Sequence, residues 1–115
     1  MSLLASNIQQ VVGDLMAYEP EKIILFGSMA RGDADEYSDI DLIVIKNTAT
    51  HFIQRLVEAA SFISVPIAAD ILVYTPEELT AMIEAENPLI HQALKEGKVL
   101  YEKAVGDRPA LAGPG

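Results

Sequence analysis

The sequence predicts a small α/β (α+β) domain in which helices pack on a mixed β-sheet. Helical and strand-like segments alternate along 115 residues, the length of a single domain. Half of the residues are hydrophobic and aromatics are few, so the core is expected to consist mainly of Ile, Leu, Val and Ala. A third strand-like segment returns after a helix of crossover length, which favours a mixed sheet.

Hydrophobic periodicity divides the first half of the chain into alternating helical and extended segments. Glu19-Pro20 ends the first helical pattern, and Gly27 ends the short apolar run that follows it. The predicted elements of this half are a helix over 3–18, a strand over 22–26, a short helix over 29–31, a loop over 32–38 and a strand over 39–45.

The second half carries clearer signals of where helices begin. Thr75-Pro76-Glu77-Glu78 has the pattern of a capping box, while Asn87-Pro88 opens another helix that Gly97 closes. The predicted elements of this half are a helix over 49–63, a strand over 67–74, helices over 76–85 and 88–96, and a short edge strand over 99–101. Residues 1–105 are expected to form the domain, and 106–115, rich in Gly, Pro and Ala, a disordered tail.

The charge balance argues against a general binder of nucleic acid, because a formal net charge of −9 would repel phosphates. The absence of cysteine excludes disulfides and thiolate metal sites and fits a cytoplasmic protein. The apolar runs are far shorter than a membrane span needs, and the N-terminus lacks the basic region of a secretory signal. His51 and His91 fall on separate predicted helices, so zinc is not indicated.

Two acids, Asp39 and Asp41, open the second predicted strand. Side chains two residues apart in a strand project from one face, so these carboxylates would point the same way, roughly 7 Å apart along the chain. They could converge on two Mg²⁺ ions about 4 Å apart. Asp41 also lies among apolar residues, where burial without a cation or donors would be costly. The plainer alternative is that both acids cap the junction of loop and strand.

Asp70 is a third unusual acid, in an otherwise wholly apolar run from Ile67 to Tyr74. Acidic side chains are rarely buried without a partner. If the third strand lies beside the second, Asp70 would complete a cluster of three carboxylates, which would resist full ionisation unless a cation such as Mg²⁺ neutralised them. The alternative is an acid near the strand end, exposed or paired with Arg31 or a lysine.

Gly27-Ser28 is a candidate phosphate-binding turn, separated from Asp39 by ten residues. Gly27 allows a sharp turn and the close approach of a ligand, and Ser28 offers a hydroxyl and a backbone N–H at the weakly positive start of a helix. Together they could hold the β- and γ-phosphates of a nucleoside triphosphate, although neither a Walker loop nor the dinucleotide fingerprint is present. Arg31 could contact phosphate or pair with an acid of the neighbouring loop. For Gly-Ser itself, an ordinary turn is the alternative.

The segments 24–32, with Gly-Ser, and 38–44, with Asp-x-Asp, resemble those of the minimal nucleotidyltransferases of the DNA polymerase β superfamily. These are small palm-like domains, often the antitoxin partners of HEPN-domain toxins. Residues 69–79 resemble the family's segment with the third acid, and 89–102 also look similar. The resemblance covers nearly the whole chain except the tail.

The resemblance implies a role for each matching residue. Gly27 and Ser28 would bind the triphosphate, Asp39 and Asp41 would ligate two Mg²⁺ ions, and Asp70 would help to activate an acceptor hydroxyl beside the metal. The implied reaction is in-line attack on the α-phosphate of ATP or another nucleoside triphosphate, with release of pyrophosphate.

The acceptor is implied only by the family. Larger relatives carry an acceptor-binding domain that is not seen in this chain, so a hydroxyl on a cognate HEPN toxin is expected, which would make the protein a type VII-like antitoxin. One alternative is an antitoxin that only masks its toxin, for which the acidic surface is suited. Another is an aminoglycoside-type nucleotidyltransferase that modifies a small molecule, with a homo-oligomer building the acceptor pocket.

Overall fold

The computed structural model describes residues 3–27, 30, 40–64 and 69–103. The described helices and strands follow one another in the predicted order and end with two consecutive helices and a last strand. Their bounds are α1 (Leu3–Leu15), β1 (Lys22–Phe26), β2 (Ile40–Ile45), α2 (Phe52–Ser61), β3 (Ala69–Tyr74), α3 (Pro76–Glu84), α4 (Pro88–Glu96) and β4 (Lys98–Glu102).

The four strands form one sheet in the order β3-β2-β1-β4. The pair β2–β3 is parallel, whereas β1 runs antiparallel to both of its neighbours, β2 and β4. This confirms the predicted mixed sheet with helices packed on it. The two central strands, β1 and β2, bring the end of β1 beside the start of β2, and β3 adds its own start next to that point.

The sheet is covered on both faces, which the apolar content of the strands requires. On one face Leu42 and Val44 pack with α1 and α2, as the alternation along the second strand predicts. On the opposite face Ile43 and Ile45 pack against Ile90 of α4. The sequence reasoning assigned the core to the first face alone, so the helical cover of the second face is an addition from the structure.

Several predicted element bounds differ from the structure: the first helix ends at Leu15 and continues as a 3-10 turn over Met16–Tyr18, and α3 ends at Glu84. The helix predicted over 49–63 spans only Phe52–Ser61, preceded by His51 in extended conformation (φ −63°, ψ 151°). The Thr48 hydroxyl accepts a hydrogen bond from the Thr50 N–H at 3.1 Å, a local contact that competes with helical bonding. The last strand is longer than predicted, Lys98–Glu102, and it lies at the sheet edge as expected.

The helix starts are set by the side chains that the sequence indicated. Thr75 and Glu78 form the capping box at the start of α3, and the Asn87 side chain accepts from the first backbone N–H groups of α4. Gly97 ends α4 with an ordinary φ of −75°. Its lack of a side chain is needed for a different reason, since a Cβ would collide with the Ala93 carbonyl oxygen.

A buried arginine joins α2 to β3 and α3. Arg55 is only 6% exposed, and its guanidinium donates to both carboxylate oxygens of Glu78, at 2.7 and 3.0 Å. It also donates to the backbone carbonyls of Thr50 and Val73, at 2.6 and 3.2 Å. These contacts satisfy the buried charge, and we call Arg55 and Glu78 the brace of β3.

Several sequence predictions fall outside the described residues: the loop over 32–38, most of the short helix over 29–31, the start of the third strand at 67–68, and the tail over 106–115. His51 and His91 are both exposed, as expected for surface histidines. Among the described helices, none combines the length and the apolar character needed to cross a bilayer.

Candidate functional site

Asp41 and Asp70 lie directly opposite each other on the parallel strands β2 and β3. Neighbouring strands are about 4.8 Å apart, and residues in register project from the same face of a sheet. The condition that the sequence set for a shared acidic site, the third strand beside the second, is therefore met. Two carboxylates that the chain separates by 29 positions stand side by side on one face of the sheet.

Gly27 brings the end of β1 against the same place. Phe26, the last residue of β1, is paired with Asp41 across the antiparallel ladder. Gly27 follows with a φ of +77°, a conformation that L side chains rarely adopt. A Cβ at this position would collide with the Asp41 carboxylate oxygen. A glycine is therefore needed at position 27 for a second reason besides the turn: the Asp41 side chain lies against the backbone there.

Asp41 sits where the helical cover of its face ends. Ile43 and Ile45 project from the same face of β2 and are buried against α4, with Ile90 and Ala93 on the helix side. Asp41, two positions earlier, is only partly buried. The strand therefore carries a partly exposed acid at the first position of this face that the described helices do not cover.

Asp70 is exposed at the second position of an edge strand. The sequence left two readings open, an exposed acid near a strand end and a member of a carboxylate cluster. The exposure of Asp70 fits the first interpretation, and its position next to Asp41 fits the second. Two like charges on adjacent strands repel each other, so the arrangement favours a cation between them.

Three of the predicted site residues, Ser28, Arg31 and Asp39, lie outside the described residues, so their roles remain predictions. The described residues contain two of the three acids, Asp41 and Asp70, and within this part of the chain no three acidic or histidine side chains form a metal-binding group. A cluster of three carboxylates would need Asp39. Carboxylate oxygens are the ligands that Mg²⁺ prefers, so the donors in place fit that ion.

The structure adds a cleft beside Gly27 that the sequence reasoning missed. It lies between the end of β1 and the exposed side of α4. The amide nitrogen of Gln92 donates to a Glu96 carboxylate oxygen at 3.2 Å on the helix side of this cleft. Its lining residues are Phe26, Gly27, Leu89, Gln92, Ala93 and Glu96. The helical spacing of the last four was visible in the sequence, but their position over β1 depends on the long-range packing of α4.

Comparison with protein families matches a model described as polymerase beta, nucleotidyltransferase, to residues 8–105. Two proteins of Methanocaldococcus jannaschii, both named as candidate protein adenylyltransferases, are also similar. One is 34% identical over 87 residues, covering 70% of this chain and 58% of that protein. The other is 32% identical over 89 residues, covering 70% of this chain and 78% of that protein. The chain thus spans little more than half the length of the first relative.

Among solved structures, a crystal structure of a candidate nucleotidyltransferase from Sulfolobus solfataricus is similar in fold. The TM-score is 0.56 at 20% sequence identity, and the match covers 87% of this chain and 86% of that one. At this identity the likeness concerns the fold alone. It agrees with the arrangement of sheet and helices described above.

Proposed function

The chain belongs to the polymerase β nucleotidyltransferase family, and from this premise we propose that it transfers a nucleoside monophosphate, most favourably AMP from ATP, to a hydroxyl acceptor. The observation that carries the proposal is the pair Asp41 and Asp70, opposite each other on parallel strands, with Gly27 packed against the Asp41 carboxylate. Oxygen donors beside a glycine turn are what a metal-bound triphosphate requires.

The proposal assigns two Mg²⁺ ions to this end of the sheet, held by Asp39, Asp41 and Asp70. Asp41 is partly exposed and Asp70 is exposed, which leaves room for substrate oxygens, and Mg²⁺ keeps such oxygens among its ligands. Bound Mg²⁺ would neutralise the charge of the phosphates and polarise the α-phosphate. Gly27 and Ser28 would bind the triphosphate tail through backbone N–H groups and the serine hydroxyl, with Arg31 as a further phosphate ligand.

The reaction itself is the attack of the acceptor hydroxyl on the α-phosphate. Its hydroxyl oxygen would form the new bond to the α-phosphorus, while the bond from that phosphorus to the bridging oxygen breaks and pyrophosphate leaves. Asp70, exposed at the strand edge, would orient the hydroxyl and receive its proton, which then passes to water. Positioning of the two reacting groups would supply most of the rate.

We further propose that the acceptor is a protein hydroxyl. The two Methanocaldococcus jannaschii relatives, named as candidate protein adenylyltransferases, support this choice. The resemblance to minimal nucleotidyltransferases extends it to a HEPN-domain toxin as partner, which the chain would inactivate as an antitoxin. An antitoxin that only masks its toxin is the competing account, since it would need no transfer.

The transfer is tested with ATP labelled either at the α- or at the γ-phosphate, using the purified protein and lysate proteins as acceptors. Label from the α-position should appear on a protein, and label from the γ-position should be released as pyrophosphate. Removing divalent cations with a chelator should stop the reaction, and adding back Mg²⁺ should restore it. Transfer of γ-label, or transfer unaffected by the chelator, would contradict the proposal.

A further inference from the structure

The outer edge of β3 presents backbone groups next to Asp70. The Lys46 N–H donates to the Tyr74 carbonyl at 2.9 Å, so the backbone groups of Tyr74 face β2. In a parallel ladder alternate residues bond to opposite sides of the strand. The N–H and C=O groups of Ala69, Ile71 and Val73 therefore face away from the sheet.

The brace closes one half of this edge and leaves the other half open. Arg55 donates to the Val73 carbonyl at 3.2 Å while it is held by Glu78, so the far end of the edge is already bonded. In the part of the chain that the structure describes, no residue hydrogen-bonds to the outward groups of Ala69 or Ile71. We call Ala69–Ile71 the open edge, and it flanks Asp70 on both sides.

We propose that the open edge binds the acceptor protein, by taking up an extended segment of it as an added β-strand beside β3. The inference rests on the proposed function and specifies how its acceptor is held. Main-chain hydrogen bonds to an exposed strand give affinity, and side chains at alternate positions give specificity. An unbonded edge beside an exposed acid is the arrangement that such binding needs.

The added strand would set the position of the acceptor hydroxyl. Its residue in register with Asp70 lies about 4.8 Å away and projects from the face that Asp41 and Asp70 share. A serine, threonine or tyrosine there is presented to the carboxylates, whereas its two neighbours point to the other face. Because the Val73 carbonyl already accepts from Arg55, the added strand would pair at Ala69 and Ile71, which fixes its register.

The net charge of −9 indicates the kind of segment that fits. A basic segment would be attracted to the acidic protein, and β-branched residues would favour its extended form. The probes are therefore nine-residue peptides of alternating lysine and valine with one central serine, threonine or tyrosine. The control acceptor is N-acetyltyrosinamide, a single tyrosine blocked at both ends, which offers a hydroxyl but is too short to pair as a strand.

The test measures transfer of α-label from ATP to these peptides, each carrying one backbone N-methyl group at a different position. N-methylation removes a hydrogen-bond donor without changing the side chains. Alternate N–H groups of the peptide would face β3. Methylating one of these should lower kcat/KM about three- to tenfold, the loss expected for one hydrogen bond, whereas methylating the N–H groups between them should have little effect. Losses without this alternation, or peptides labelled no better than N-acetyltyrosinamide, would overturn the proposal.

A pair of variants tests the protein side of the same contact. Ile71→Pro removes the outward N–H, whereas Ile71→Ala shortens the same side chain and keeps the N–H. The proline variant should raise the KM for the peptides above that of the alanine variant, with equal transfer to N-acetyltyrosinamide. Equal peptide KM values would overturn the open-edge proposal. Absence of transfer to every acceptor by the wild-type protein would instead overturn the proposed function itself.

Discussion

The two ends of β3 place carboxylates in opposite circumstances. At the start of the strand Asp70 stands exposed beside Asp41, another acid. Just past its end, Glu78 accepts two hydrogen bonds from the buried Arg55 and one from the Thr75 N–H. Asp70 lies in β3 and Glu78 lies just beyond it. Of these two carboxylates, only that of Glu78 forms an ion pair with a cation among the described residues.

The difference separates an acid that is paired with a buried arginine from two acids that stand side by side on neighbouring strands. The Arg55 hydrogen bonds lower the pKa of Glu78, with the Thr75 N–H adding to the effect. The same contacts raise the pKa of Arg55. Asp41 and Asp70 have each other as strand neighbours, which favours binding of a cation over folding stability. Substitutions at the two ends should therefore affect different properties.

Outside the acidic pair itself, the largest effect is expected for Gly27→Ala. The added Cβ would collide with the Asp41 carboxylate, and alanine disfavours the φ of +77°. Nucleotidyl transfer should fall about a hundredfold, the scale for displacing one preorganised group of a catalytic site. Gly13→Ala is the matched control, because nothing lies within 4 Å of its Cβ in α1, and that variant should keep full transfer. Equal activity in both variants would contradict the account of Gly27.

A stability effect without an activity effect is expected for Glu78→Gln at the opposite end. The glutamine keeps a side-chain acceptor for the Thr75 N–H but leaves Arg55 buried without its anion. We expect the free energy of unfolding to fall by about 2 kcal/mol. This is less than for a fully buried ion pair, because the Glu78 side chain is 42% exposed. Chemical denaturation measures the cost. A loss below about 0.5 kcal/mol would show that the brace contributes little.

The brace should also make stability depend on pH in a defined direction. The pKa of Glu78 is lowered in the folded protein from an ordinary value of 4.5. Its contribution is therefore complete above about pH 4.5 and is lost as the pH falls through the lower folded value. The difference in unfolding free energy between wild type and Glu78→Gln should be largest near neutral pH and shrink below pH 4.5. A difference that grows on acidification would contradict this assignment.

The smallest effect is expected for Asp14→Asn, which tests an acid that belongs neither to the brace nor to the acidic pair. The Ser64 N–H and hydroxyl donate to the Asp14 carboxylate, both at 2.8 Å, and lower its pKa. These contacts lie at the protein surface, so the melting temperature should fall less than for Glu78→Gln, and transfer should be unchanged. A thermal melt of the two variants side by side checks this order, and a larger fall for Asp14→Asn would reverse it.

The sequence carried much of the fold because the local signals agree with the tertiary packing. The capping box at Thr75 and the Asn87-Pro88 start are local features, and both are confirmed. Alternation along the second strand identified the buried positions Leu42 and Val44. It did not reveal that Ile43 is also covered, since that depends on where α4 returns to the sheet.

The site was less accessible from sequence, because it depends on register. Asp41 and Asp70 were each identified as unusual acids, but only the pairing of β2 with β3 places them opposite each other. Arg55 was one scattered basic residue in the sequence, and no local pattern shows that it is buried against Glu78. The collision that a side chain at Gly27 would cause with Asp41 likewise appears only in three dimensions.

The most direct test of the central claim compares Asp41→Asn with Glu78→Gln in transfer of α-label from ATP to N-acetyltyrosinamide, an acceptor that does not depend on the open edge. Asp41→Asn removes one charge of the acidic pair and should lower transfer at least about a hundredfold, with a smaller fall in melting temperature than Glu78→Gln. Glu78→Gln should be less stable but transfer label at the wild-type rate wherever it is folded. Wild-type transfer by folded Asp41→Asn would contradict the claim that the paired acids of β2 and β3 form the catalytic site.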